Sequence, residues 1–237
     1  MKTEFHPSGL RGHANHGWLN TWHSFSFAGW YDPTRVHFGA LRVLNDDYVA
    51  AGMGFAEHPH DNMEIVTLMM DGELEHRDSM GNREILRRGE VQAMSAGTGI
   101  RHSERNPSQT VPLHLFQIWI FPRHKNTEPR YAQRQFLNTQ QDNDWQLVVS
   151  PDGEKDSIII GQDAWFSAIR LDAGLETAYQ LHHPDNGAYA FVIEGEASIG
   201  DRLLTRRDAL GVTETDAFNI KANSPLHLLM IEVPMHW

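Results

Sequence analysis

The chain contains no cysteine. That absence removes disulfides and thiolate ligands together, so any metal here must be held mainly by imidazole or carboxylate. Long apolar runs are also missing: none approaches a membrane span, although 40% of the 237 residues are hydrophobic. The opening M-K-T-E-F-H-P lacks the apolar core of a signal peptide, and the expectation is a cytoplasmic protein. Positive charge is in deficit, with 20 Lys and Arg against 31 Asp and Glu and a formal net charge of -11. A general binder of the nucleic-acid backbone needs the opposite balance, because its affinity comes chiefly from cations that neutralise phosphates. Neither a membrane nor a nucleic acid is therefore an expected partner. Stretches of helical period are scarce as well.

What is present reads as β structure. Short runs rich in β-branched and aromatic residues alternate with turn signals, as in I-V-T-L-M-M, D-G-E-L-E-H and D-S-M-G-N-R-E-I, with Gly81-Asn82 placed as a hairpin turn. H-L-F-Q-I-W-I-F-P and L-H-L-L-M-I-E-V-P have strand length and end at proline. The polar segment from Pro122 to Trp145 breaks this rhythm and is read as a linker with a short helix. It divides the chain into a first unit, 1–122, a linker, 123–145, and a second unit, 146–237. Across the divide T-L-M-M-D-G-E-L-E is matched by A-F-V-I-E-G-E-A-S, and L-R-R-G-E is faintly echoed by L-T-R-R-D-A-L, which indicates two related β units.

Two short motifs carry the chemistry. Residues 58–64 read H-P-H-D-N-M-E, and 102–104 read H-S-E. Alternate side chains of a strand share a face, so His58 projects with His60, and His102 with Glu104. Two such pairs facing inward make a metal claw. Glu64 is an alternative carboxylate, sharing a face with His60 if the strand continues. In the second unit His182 and His183 are adjacent and point to opposite faces, so they do not make the same claw, and the expectation is a single metal site in the first unit. The remaining singled-out residues have plainer readings: His76, His114 and His227 as structural histidines, Gly89, Gly97 and Gly99 as turn formers, and Arg87-Arg88 as solvated charge. The run Trp22, Phe25, Phe27, Trp30 and Tyr31 is read as core.

The stretch from Gly52 through His58, His60 and Glu64 to Gly72 resembles the first cupin motif, with one extra residue before its final glycine. The stretch from Gly89 to Asn106 resembles a modified second cupin motif, with Ser95 where proline is usual and a longer gap between Gly97 and His102. This departure, together with H-P-H, G-T-G-I-R-H-S-E and the N-terminal W-H-S-F-S-F-A-G-W-Y-D-P, is similar to the pirin family of bicupins. The resemblance is strong over about the first 120 residues and weak over the remainder. It implies an all-β bicupin of two jelly-roll barrels with one metal in the first. Matched residue by residue, it places the ligands on His58, His60, His102 and Glu104, leaving Glu64 a carboxylate that orients an imidazole N–H or sits at the core rim.

The resemblance further implies a divalent metal, Fe(II) first, with manganese, nickel, copper, cobalt and zinc as alternatives. It also implies quercetin 2,3-dioxygenase activity, in which a flavonol and dioxygen are the small-molecule partners, the ring opens and carbon monoxide leaves. Three neutral imidazoles and one carboxylate leave a divalent ion with a net charge near +1, which suits an anionic bidentate substrate, and Glu104 is the candidate acceptor for its hydroxyl proton. The competing expectations are a metal-dependent regulatory module acting through protein partners, and another cupin enzyme such as an isomerase.

Overall fold

The computed structural model describes residues 1–136 and 142–236. Almost every regular element is a strand, and the strands form two barrels, each a seven-stranded sheet facing a four-stranded one. In the first barrel the large sheet runs Arg130–Gln135, Glu90–Ser95, Glu64–Asp71, Leu113–Ile120, Leu41–Val49, Leu19–His23, Gly12–Asn15. The small sheet runs Gly54–His60, Ile100–Arg105, Glu73–Asp78, Arg83–Arg87. The second barrel repeats the plan: Asn186–Glu194 lies between Ala209–Thr213 and Leu226–Pro234, as Glu64–Asp71 lies between Glu90–Ser95 and Leu113–Ile120. The matched segments noticed in the sequence thus occupy matching places. Each ends in a glycine of positive φ, Gly72 at 76° and Gly195 at 90°. A side chain at either position would also strike backbone where the neighbouring strand of the same large sheet begins, near Leu113 or Pro225.

The hairpin turn at Gly81-Asn82 connects Glu73–Asp78 to Arg83–Arg87, as read from the sequence. The segment 123–145 holds a strand instead of the expected short helix: Arg130–Gln135 pairs with Glu90–Ser95 and forms the edge of the first large sheet. Its alternating exposed and half-buried residues are so polar that the strand signal is faint. Residues 137–141 of that segment lie outside the described residues. The corresponding edge of the second large sheet is supplied by Lys2–His6, which pairs with Ala209–Thr213. The chain start therefore belongs structurally to the other barrel, and His6 Nδ1 lies 2.8 Å from the Tyr189 hydroxyl there.

Strand alternation sorts side chains into distinct cores. On Glu64–Asp71, Val66 and Leu68 face outward into an apolar layer shared by both barrels, with Phe116, Ile118, Phe166, Phe191, Leu229 and Ile231. The rings of Phe116 and Phe191 meet there edge to face, 5.4 Å apart. Each fully buried large apolar side chain in such a layer contributes about 1.5–3 kcal/mol. The inside of the second barrel is filled by one continuous apolar cluster running from Ile169 to Met230. The first barrel is built differently. Its apolar interior consists of two small clusters, one around Met69, Leu74 and Leu115, the other around Ile65, Met94 and Ile100. The polar residues Thr21, His23, Asn45, Asp47, Glu104 and Gln117 line a cavity in the same barrel.

Candidate metal centre

The cavity of about 320 Å³ in the first barrel is where the two sequence motifs meet. His58 and His60 come from the Gly54–His60 strand, two residues apart and therefore on one face. The neighbouring antiparallel strand Ile100–Arg105 places His102 directly opposite His58. The ring centroids are 4.4 Å apart for His58 and His102, 4.9 Å for His58 and His60, and 5.0 Å for His60 and His102. One nitrogen from each of the three rings lies within 4.8 Å of the others.

Glu104 follows on the same face as His102, across a register shift that sets it opposite Phe55 on one side and His76 on the other. It forms a second close group with His102 and His76, so His102 is common to both groups. Glu104 is buried, and its Oε2 accepts a hydrogen bond of 3.0 Å from the Gln117 side-chain amide. Its Oε1 has no partner, and neither ring nitrogen of buried His102 has one. Leaving such groups buried without partners costs about 1–3 kcal/mol each, so three of them converging mark a place built for a ligand. A divalent cation fits this donor set of imidazole and carboxylate.

Protonation and orientation favour the same use. Burial lowers His60 to about 4 and His102 to about 3, with the neighbouring histidines adding to both shifts, so both rings are neutral near pH 7 with a lone pair available. His58 Nδ1 lies 2.8 Å from the Ala56 carbonyl. A carbonyl only accepts, so Nδ1 carries the proton and Nε2 is left free for a ligand.

Glu64 lies elsewhere. The strand of His60 ends there, Asn62 adopts a positive φ of 45°, and a new strand begins at Glu64, so the shared face does not continue. The Glu64 carboxylate accepts a 2.6 Å bond from Ser95 Oγ and another from the Gly161 backbone N–H, tying the first barrel to the second-barrel loop between Ile158–Ile159 and Trp165–Leu171. His182 is engaged in the second barrel, where its Nδ1 lies 2.8 Å from Glu232 Oε2 and its ring stacks on Trp165.

Further residues adjoin or line this site. His76, read as structural, is fully buried with its ring 5.3 Å from that of His102, held by Asp78 at 3.0 Å and stacked on Tyr131. Phe27, read as core, lines the cavity with Trp119, and only Phe25 of the aromatic run lies in the shared apolar layer. His23, Asn45, Asp47 and Gln117 were not singled out. Gln117 carries a signal, a polar residue at an inward position of the largely apolar run L-F-Q-I-W-I; Asn45 and Asp47 lie in the polar run N-D-D, and His23 ends the mixed strand L-N-T-W-H.

Two cupin barrels, one filled with apolar side chains and one hollowed around a histidine cluster, define a bicupin with a single candidate centre among the described residues. Family comparison gives the narrower assignment: residues 4–120 match Pirin, and 147–233 match Quercetinase C-terminal cupin domain. The chain belongs to the pirin family. It is 45% identical to the quercetin 2,3-dioxygenase of Escherichia coli (strain K12), over 94% of this chain and 95% of that one. The crystal structure of YhhW from Escherichia coli superposes with a TM-score of 0.94 at 43% identity, covering 100% of both chains. The structure of bacterial pirin YhhW from Escherichia coli in complex with nickel(II) gives 0.93 at 42% identity, covering 98% of this chain and 99% of that one. The chain is thus quercetin 2,3-dioxygenase-like in sequence and fold.

Proposed function

We propose that this protein is a metal-dependent dioxygenase that opens the ring of a flavonol such as quercetin with dioxygen and releases carbon monoxide. The observation that carries the reading is the group of converging, partnerless donors on His102 and Glu104, beside His58 and His60 at one wall of a cavity that also presents the aromatic side chains of Phe27, Phe55 and Trp119. It occurs in a chain closely similar to a quercetin 2,3-dioxygenase. His58, His60, His102 and Glu104 would hold one divalent ion. Iron is the expectation from the family, and nickel is the ion in the related crystal structure. When bound, the ion supplies Lewis-acid stabilisation of a flavonol's 3-oxygen and 4-carbonyl.

The chain's own residues account for the rest. Glu104, whose Oε1 is free of any protein donor while Gln117 holds Oε2, would take the flavonol 3-hydroxyl proton at the cost of loosening its own bond to the ion. Phe27, Phe55 and Trp119 give flat apolar surfaces for the substrate rings and exclude water from the reacting atoms. Trp119 packs edge-on to both Phe27 and His60, so this wall is fixed relative to the histidines. In the overall reaction one flavonol and one dioxygen give one ring-opened ester and one carbon monoxide. Oxygen uptake and carbon monoxide release, measured with metal-loaded and chelated protein, test the reading.

A further inference from the structure

The claw occupies the small sheet, but the cavity has a second polar surface on the large one. Leu19–His23 and Leu41–Val49 pair so that Thr21 lies opposite Asp47, and His23 opposite Asn45. Cross-strand partners point to the same side of a sheet, and these four point into the cavity. The adjacent residue Asp46 points the other way and binds Arg207 of the second barrel at 2.8 Å, which pins the strand and fixes the face of Asp47.

This wall is buried and incompletely satisfied. His23, Asn45 and Asp47 are 3%, 3% and 4% exposed. His23 Nδ1, Asn45 Oδ1 and Asp47 Oδ1 have no hydrogen-bond partner, and neither does the Trp119 Nε1–H beside them in the cavity. Elsewhere in the molecule a comparably buried carboxylate, Glu232, is saturated by Tyr179, His182, His183 and Asn186. The fold therefore satisfies buried carboxylates where they are structural, and leaves this wall open.

We infer that Asp47, Asn45, His23 and Trp119 form a hydroxyl-recognition subsite, which binds phenolic hydroxyls of a ligand on the part remote from the atoms held at the claw. Asp47 Oδ1 and Asn45 Oδ1 accept from such hydroxyls, Trp119 Nε1–H donates to their oxygens, and a neutral His23 does either. Burial lowers His23 to about 4, so its ring is neutral. Burial also raises the Asp47 carboxyl to about 7, helped by Asp46 and Glu104 and opposed by Thr21, so near neutral pH it exchanges between accepting and donating forms. The inference rests on the flavonol reading and adds to it: the site selects polyhydroxylated ring systems over bare ones. A site built to hydrogen-bond a hydroxyl discriminates strongly against an analogue that lacks it, because its polar groups are then left unpaired.

The test compares quercetin with unsubstituted 3-hydroxyflavone, which share the 3-hydroxyl and 4-carbonyl and differ in the remaining hydroxyls. Binding is titrated anaerobically by flavonol absorbance on nickel-loaded protein, so that no turnover is needed, for wild type, Asp47→Asn, Asp47→Leu and Asn45→Leu. Wild type should prefer quercetin by about tenfold or more, and both leucine variants should shrink that preference several-fold while retaining nickel. Asp47→Asn, which keeps the shape, gives an intermediate preference and serves if a leucine variant fails to fold. A wild type without preference, or variants that weaken both ligands equally, overturns the inference. If no oxygen is consumed with either flavonol but the binding preference and its loss are seen, the dioxygenase reading fails and the subsite stands.

Discussion

Gln117 and Glu104 meet across the first barrel: the amide on the large sheet donates to a carboxylate oxygen on the small one at 3.0 Å. Gln117 is itself held by the Thr67 hydroxyl, which donates to its Oε1 at 3.2 Å. The chain Thr67, Gln117, Glu104 orients the only carboxylate among the proposed ligands. Replacing Gln117 with Leu leaves Glu104 Oε2 without a donor, and a loss of about 10–100-fold in metal affinity or activity is expected. Metal titration of the variant, with circular dichroism as a control for folding, checks this. Unchanged metal affinity and turnover would mean that Gln117 does not position Glu104.

Glu104 and Glu64 separate by the same measurement. Glu104→Gln removes the site's only proposed anionic donor, and its metal loss should exceed that of Gln117→Leu. Glu64→Ala should retain metal but lose about 1–3 kcal/mol of stability, because Ser95 Oγ and the Gly161 N–H lose their buried acceptor. Metal content after dialysis and denaturant unfolding distinguish them. The reverse order would move the claw to Glu64.

Gly54 tests whether the claw depends on its strand pairing. A Cβ there would lie 2.3 Å from the Glu104 carbonyl oxygen and 2.5 Å from Arg105 Cα, both backbone atoms that a rotamer change cannot relieve. Gly54→Ala should force the Gly54–His60 and Ile100–Arg105 strands apart and weaken metal binding, although it touches no ligating side chain. Wild-type metal affinity in this variant would show that the site tolerates strand displacement.

The gathering of His58, His60, His102 and Glu104 in one cavity was legible because they lie in two short motifs, and the period of a strand alone brings each pair to one face. The repeat was legible through its glycines. What escaped depends on long-range register. Asp47 and His23 lie in separate strands with no shared motif, and they acquire meaning only when Leu19–His23 pairs with Leu41–Val49. Lys2–His6 finds its partner at Ala209–Thr213, a pairing with no local signature. Arg130–Gln135 has the alternation of an edge strand but the composition of a linker. The adjacency of His76 to His102 likewise follows from the pairing of Glu73–Asp78 with Ile100–Arg105.

In the second barrel, His227 gives a pH dependence separate from the metal. Burial, then Arg170 and Arg207, lowers it to about 4, and Glu194 is its cross-strand neighbour on the other side. In the unfolded chain it titrates near 6.5. Between those values the unfolded state binds more protons, so this residue's contribution to stability is present above pH 6.5 and is lost as pH falls toward 4. In His227→Gln the slope of Tm against pH should be flatter than in wild type over that window, other groups being common to both. An unchanged slope would mean that His227 does not titrate on unfolding.

The most direct test of the account is simultaneous measurement of oxygen uptake and carbon monoxide release with quercetin, for metal-loaded wild type, chelated wild type and His60→Ala. The account predicts equal consumption of oxygen and release of carbon monoxide by the metal-loaded protein only. Chelation and His60→Ala should abolish both, while the variant keeps wild-type circular dichroism. Metal-loaded protein that binds quercetin but consumes no oxygen above the chelated control would contradict it.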